Sequence, residues 1–363
     1  MKVAILSPLT WRTPPRNYGP WEQVASVLAE ALVKEGIEVT LFATGDSITS
    51  ATLDAVIDKP TGEYPADAKV AECLHISNLM EKAGSFDIIH NNFDFLPLTY
   101  SKLVNTPVIT TIHGFSSPLI VPVYKKYNEY SYYVSISNSD RHPGLNYLDT
   151  VYNGLDEQQF SFGKGDGDYL LYFGRIHPDK GTYEAVQIAA NSKKKLIICG
   201  LIQDQQYYNE KVLPFIDATS VIYFGNAGPQ QRNELLGNAS ALLHPISFEE
   251  PFGLSVAESM MCGTPVIAFN RGAMKELIVD LKTGFLVDDI EEAIDAVGLI
   301  KNIDRNICRE HALQKFGSRE MALHYIKLYH KIIEYAGSNA PGYSLSSISS
   351  SNSFNGTVAK EEA

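Results

Sequence analysis

The chain has 363 residues, 45% of them hydrophobic and 20% charged, and a formal net charge of −12. This describes a folded protein long enough for two ordinary domains, and its acidity argues against bulk binding to nucleic acid or to an anionic membrane. The four cysteines, Cys73, Cys199, Cys262 and Cys308, are too scattered for a zinc cluster or a disulfide framework, so a reduced, cytoplasmic setting is expected.

Met1-Lys2 lead straight into an apolar run, read as a first strand over 3–7 rather than a secretory leader. No apolar run approaches the ~18 residues of a spanning helix. Asn17-Tyr18-Gly19-Pro20 turns into a helix predicted over 21–35, with Val24, Leu28, Leu32 and Val33 on one stripe and Gly36 as its stop. Strands are predicted at 38–43, 87–90, 108–113 and 132–136. The third ends on His113, readable as a polar site residue or as a satisfied structural histidine. His90 and Asp94 are expected to line the same cleft. His142, His177 and His244 have weaker claims. Residues 160–167, which contain Gly163, Gly165 and Gly167, read as a linker, placing the domain boundary near 155–168.

A second series of strands is predicted at 169–173, 196–199, 221–224, 241–244 and 265–269, with helices at 183–191, 230–238 and 254–262 between them. Short apolar strands alternating with amphipathic segments indicate parallel α/β layers. A last helix is predicted over 319–335, with Met321, Tyr325, Leu328, Tyr329 and Ile332 on one stripe. The serine-rich tail, 338–363, has little to bury and is expected to be disordered.

The chemistry concentrates in two places. Glu250 and Glu258 flank a Pro251-Phe252-Gly253 turn that opens the 254–262 helix. The free N–H groups and positive dipole end of such a helix suit a diphosphate. Carboxylates beside it suit sugar hydroxyls, although each glutamate also fits an ordinary solvated position. After the 169–173 strand, Gly174 permits close backbone approach, and Arg175 and Lys180 offer two cations to a diphosphate, unless both are surface charges. In open parallel sheets ligands bind at such strand ends. The spacing G-x-G-x-x-G is absent around Gly19, and so are H-E-x-x-H and a Ser–His–Asp order.

Together these residues resemble family 4 of the retaining glycosyltransferases, which have the two-domain GT-B architecture. The similarity runs from Met1 to about Tyr335. Its most specific block is Glu250-Pro251-Phe252-Gly253-Leu254 through Glu258-Ser259-Met260-Met261-Cys262-Gly263-Thr264-Pro265, continuing to Gly272, Glu276 and Gly284. Tyr172-Phe173-Gly174-Arg175 with Lys180-Gly181, and Asn153-Gly154, match further family segments. The resemblance implies two Rossmann-like α/β domains facing across a cleft: 1–155 on the acceptor side, 156–318 for the nucleotide sugar, and 319–335 as a closing helix returning to the first domain. It implies that Glu258 holds the donor ribose and Glu250 the transferred sugar. Amides at Phe252, Gly253, Leu254 and Ser255 would bind sugar and phosphate, and Arg175 and Lys180 would stabilise the leaving diphosphate. His113 would face the reacting centre and Gly19 would make room there. No metal or other cofactor is implied. The expected substrates are a UDP- or GDP-linked sugar and a hydroxyl acceptor. Pro20 departs from the pattern, since many members carry a second glycine there. An epimerase or phosphorylase on the same fold, or a sugar-nucleotide binding protein, are the competing readings.

Overall fold

The computed structural model describes residues 1–64 and 67–338; apart from Ser338, the tail expected to be disordered lies outside the described residues. The first half runs β1 (Lys2–Leu6), α1 (Pro20–Lys34), β2 (Glu38–Phe42), β3 (Thr52–Asp54), α2 (Ala68–Glu81), β4 (Ile88–Asn91), β5 (Val108–Ile112), α3 (Val121–Tyr127), β6 (Tyr132–Ser135) and β7 (Tyr147–Thr150). The second runs β8 (Tyr169–Phe173), α4 (Thr182–Asn191), β9 (Lys195–Cys199), α5 (Gln205–Tyr207), β10 (Val221–Gly225), α6 (Pro229–Asn238), β11 (Ala241–His244), α7 (Leu254–Met261), β12 (Val266–Phe269), α8 (Met274–Leu277), β13 (Gly284–Val287), α9 (Ile290–Leu299), α10 (Arg305–Phe316) and α11 (Ser318–Ser338).

Two sheets result, ordered β3-β2-β1-β4-β5-β6-β7 and β10-β9-β8-β11-β12-β13. Every pairing is parallel. Parallel strands need crossover helices on the sheet faces, which is why β4 and β5 are buried along their whole length. In each sheet the strand order reverses at its centre, between β1 and β4 and between β8 and β11. A crevice opens at the carboxyl ends of such a switch point. The architecture is therefore two Rossmann-like domains whose crevices follow β1 and β4 in one and β8 and β11 in the other.

Local sequence sets the helix ends. Pro20 takes the first position of α1, where its missing N–H costs nothing. At the other end Gly36 sits at φ 82°. Its N–H bonds to Val33 O and that of Ile37 to Leu32 O, both at 3.0 Å, a Schellman closure that needs the left-handed residue. The sequence misses β3, β7 and β13, which are short strands toward the sheet edges.

The chain crosses between domains twice, side by side. Leu155 N–H donates to Phe316 O (2.8 Å), and Ser318 N–H donates to Leu155 O (2.9 Å). Beyond that crossing α11 lies back on the first domain. Met321, Ala322, Tyr325, Leu328, Tyr329 and Ile332 pack with Val24, Leu28 and Leu32 of α1 in one buried cluster.

Two expectations are corrected here. Residues 160–167 are not a free linker but a strap on the second domain. Gly163, Gly165 and Gly167 donate their N–H groups to Cys262 O, Gly237 O and Asn238 O at 2.9, 3.1 and 3.0 Å. A Cβ at Gly163 would sit 2.0 Å from Gly237 O. The glycines are there for close approach rather than for flexibility. His90 and Asp94 do not line the cleft. His90 Nδ1 bonds the Tyr329 hydroxyl (2.6 Å) and its Nε2 the Thr111 hydroxyl (2.7 Å), tying α11 to the first sheet. Asp94 accepts from the Tyr124 hydroxyl. Among the described residues no helix is long and apolar enough to cross a membrane.

Candidate active site

A cavity of about 400 Å³ lies between the domains at both switch points. Its walls are the loop after β1 with the start of α1, His113 after β5, Gly174 to Lys180 after β8, Gly200 and Leu201 after β9, and residues 244–258 after β11. All eleven site residues anticipated from the sequence line this one space: Gly19, His113, Gly174, Arg175, Lys180, Glu250, Phe252, Gly253, Leu254, Ser255 and Glu258.

The second-domain wall is built around α7. Gly253 caps it at φ 92°. Helix geometry leaves the first amides, at Leu254 and Ser255, without partners inside the helix. The Glu250 loop is pinned from behind. Gly272 N–H donates to Glu249 Oε2 (2.5 Å) and Ala273 N–H to Glu250 O (2.9 Å). A Cβ at Gly272 would lie 2.3 Å from Glu250 N, so only glycine allows this approach.

Neither glutamate is a solvated charge. Glu250 is 9% and Glu258 6% exposed, and each has its own cation. Lys180 Nζ donates to Glu250 Oε2 at 2.6 Å, and Arg232 Nη1 to Glu258 Oε1 at 2.9 Å. Burial pushes the Glu250 carboxyl up, but His244 and the Lys180 ammonium outweigh it and hold it at about 2. His244 lies 3.7 Å from Glu250 Oε2, too far for a hydrogen bond. Burial also lowers its own pKa against the pull of Glu250, so Lys180 supplies the balancing charge. Glu258 is raised by burial, with Arg232 opposing. Arg175 donates to Gln203 Oε1 and is only partly buried, leaving it a cation facing the cavity.

Gly174 meets no protein atom closer than 3.6 Å to a would-be Cβ, so the fold itself does not demand glycine there. The demand falls on Gly200, whose Cβ would come 1.8 Å from Gly174 O.

On the first-domain wall, a Cβ at Gly19 would lie 2.8 Å from Pro15 Cβ and 2.9 Å from Trp11 Cδ1, which explains glycine at that turn. Glu22 braces the turn by accepting the Trp11 N–H (3.0 Å), and burial pushes its carboxyl up to about 7. The neighbouring Tyr18 feels the charges of Arg175 and Glu250 from across the cleft. His113 is buried and stacks on Trp21 with ring centres 5.8 Å apart. Burial lowers its pKa to about 3, so it is neutral at pH 7. Its Nε2–H donates to Asn92 Oδ1 (2.9 Å), which leaves Nδ1 as an acceptor.

Sequence reasoning missed Arg232 and gave His244 little weight. Arg232 lies three positions before Leu235 on the half-buried face of α6, and that placement was the only signal.

The arrangement offers cations and helix-start amides for an anionic group and two ionisable acceptors for hydroxyls, all in one cleft. A family model described as Glycosyl transferases group 1 matches residues 155–314, and one described as Glycosyltransferase Family 4 matches 22–157. An uncharacterized glycosyltransferase of Methanocaldococcus jannaschii is 21% identical over 93% of this chain and 100% of its own length. Among solved structures, the sucrose-phosphate synthase of Thermosynechococcus elongatus superposes with a TM-score of 0.74 at 20% identity, covering 92% of this chain and 100% of that one. The Anabaena protein HepE, solved with UDP and glucose, superposes with a TM-score of 0.68 at 18% identity, covering 91% and 99%. Apart from the Gly19 loop, both walls of the cleft fall within matched segments, and the chain belongs to the family 4-type glycosyltransferases with the GT-B fold.

Proposed function

We propose that this enzyme moves a hexosyl group from a UDP- or GDP-linked sugar to a hydroxyl acceptor, with retention at the anomeric carbon. The observation that carries the proposal is the convergence of Arg175, Lys180 and the α7 amides with two separately neutralised glutamates on a single cavity. HepE, solved with UDP and glucose, supports a nucleotide-sugar donor by likeness of fold.

In this reading the donor lies on the second domain and the acceptor enters from the first. Glu258 accepts from the ribose hydroxyls and Glu250 from those of the transferred sugar. Glu250, ionised and already bonded to Lys180, serves as a hydroxyl acceptor rather than a nucleophile, so the acceptor attacks from the leaving-group face. Charge on the departing diphosphate is met by Arg175, Lys180 and the amides of Leu254 and Ser255, with no metal required. His113 Nδ1 and the space at Gly19 serve the reacting centre. Free thiols, with Cys199, Cys262 and Cys308 buried and Cys73 exposed, fit a cytoplasmic setting.

Substitution at each glutamate separates the two roles. Glu258→Gln should weaken binding of the free nucleotide, UDP or GDP, about ten- to a hundredfold, the scale of a lost hydrogen bond to a charged group. Glu250→Gln should reduce transfer and leave nucleotide affinity nearly intact. Calorimetry with the free nucleotide decides it, and equal losses in both variants contradict the assignment. Products formed with an acceptor, with inorganic phosphate and with neither distinguish a transferase from a phosphorylase or an epimerase.

A further inference from the structure

The helix behind the Glu250 loop carries a carboxylate that the donor site does not use. Glu276, in α8, accepts four hydrogen bonds. Its Oε2 takes the backbone N–H of Asn138 (2.8 Å), the Asn138 side-chain amide (3.0 Å) and the Tyr152 hydroxyl (3.0 Å). Its Oε1 takes the Ser139 N–H (2.7 Å). Asn138 and Ser139 follow β6 in the first domain, and Tyr152 belongs to the crossing segment. Every one of these donors therefore comes from outside the domain that holds the carboxylate.

An exposed ion pair fixes little, but a half-buried carboxylate with both oxygens committed to donors at fixed backbone positions defines a geometry. The bracket is also rigidly backed. Lys315 Nζ donates to Glu276 O (2.6 Å) and lies 5.0 Å from the centre of the Tyr152 ring. Glu276 is three residues beyond Ala273, whose N–H holds Glu250 O. On the other side of the cleft, a Cβ at Gly114, next to His113, would stand 3.0 Å from Pro251 Cγ. A shift at the bracket therefore changes how His113 and Gly19 face Glu250 and Arg175.

We propose that Glu276 is a positioning residue: a carboxylate bracket that holds the two domains in the register in which the first-domain wall meets the donor wall. The proposal rests on the reading that the donor sits on the second domain and the acceptor on the first. It predicts that removing the bracket impairs transfer and spares nucleotide binding.

The test uses the full chain with Glu276→Ala and Tyr152→Phe, which deletes a single donor. The readouts are the melting temperature, affinity for UDP and GDP by calorimetry, turnover of the donor sugar, and solution scattering. For Glu276→Ala the expected result is a fall in kcat of about 10²-fold, the scale of a misplacement of about 1 Å. Nucleotide affinity should stay within about threefold, and the scattering profile should widen. Tyr152→Phe should move kcat the same way by less. Wild-type kcat in a folded Glu276→Ala protein overturns the proposal, and so does nucleotide affinity that falls in step with kcat. Should Glu276→Ala fail to fold, unchanged kcat and scattering in Tyr152→Phe overturn it. Should the wild type bind neither UDP nor GDP, the donor reading fails, while identical scattering of wild type and Glu276→Ala still refutes the bracket.

Discussion

Alanine at Arg175 and alanine at Lys180 should each lower donor turnover by about 10²–10³-fold, the scale of losing one preorganised electrostatic donor. The two variants should differ in stability. Arg175 is half-exposed and its guanidinium donates to Gln203, so its loss leaves the melting temperature near that of the wild type. Lys180 and Glu250 are paired with side chains only 15% and 11% exposed. Removing one partner of a buried pair costs about 3–5 kcal/mol. The pH dependence should also weaken. In the wild type Glu250 lies below its ordinary value, at about 2, so its contribution is present above the unfolded pKa and is lost as pH falls through 2. Without Lys180 only His244 is left to oppose burial, so the folded pKa moves up and this acid-side loss shrinks. Melting curves between about pH 2 and 6 show the change. Near-wild-type turnover in both variants would remove this phosphate site.

Truncation after Gly317, which deletes α11, should abolish the folded state. The helix buries Met321, Tyr325, Leu328, Tyr329 and Ile332 against α1 and the first sheet. At roughly 1.5–3 kcal/mol for each large apolar side chain, their loss approaches or exceeds the ~5–15 kcal/mol by which domains are stable. It also strands polar groups. Buried His90 loses its Tyr329 partner, and the Thr111 hydroxyl loses Tyr325 (2.7 Å). Truncation after Ser338 keeps the helix and should keep the melting temperature and turnover. Circular dichroism melts of the two proteins check both halves, and a cooperative wild-type melt without α11 would show that the first domain does not need it.

The central strands, the switch-point loops and most of the cleft-lining residues were legible because each is written locally. Short β-branched runs bounded by turn residues mark strands, and Pro251-Phe252-Gly253 before an apolar run marks a helix start. What the sequence hid is long-range. Arg232 and Glu258 are 26 positions apart on different helices, and nothing local in α6 marks an arginine aimed into a cleft. Glu276 was visible as part of a motif, but its partners Asn138 and Ser139 lie in the other domain. The glycines of 160–167 carry the same local signal whether they loosen a chain or let it pack where a Cβ at Gly163 would stand 2.0 Å from Gly237 O, and only the neighbouring segment decides between the two. His90 looked like a cleft residue because it ends a strand, yet its ring is covered by a helix from the far end of the chain.

The proposed reaction requires a nucleotide diphosphate bound beside α7. Titration of the wild type and of Arg175→Ala with UDP and with GDP in a calorimeter tests that most directly. We expect one of the two nucleotides to bind at one site per chain, to bind more weakly when Arg175 is alanine, and at a hundred times its dissociation constant to stabilise the wild type by about 2.7 kcal/mol. Absence of binding by both nucleotides, or an affinity that ignores Arg175, would contradict it.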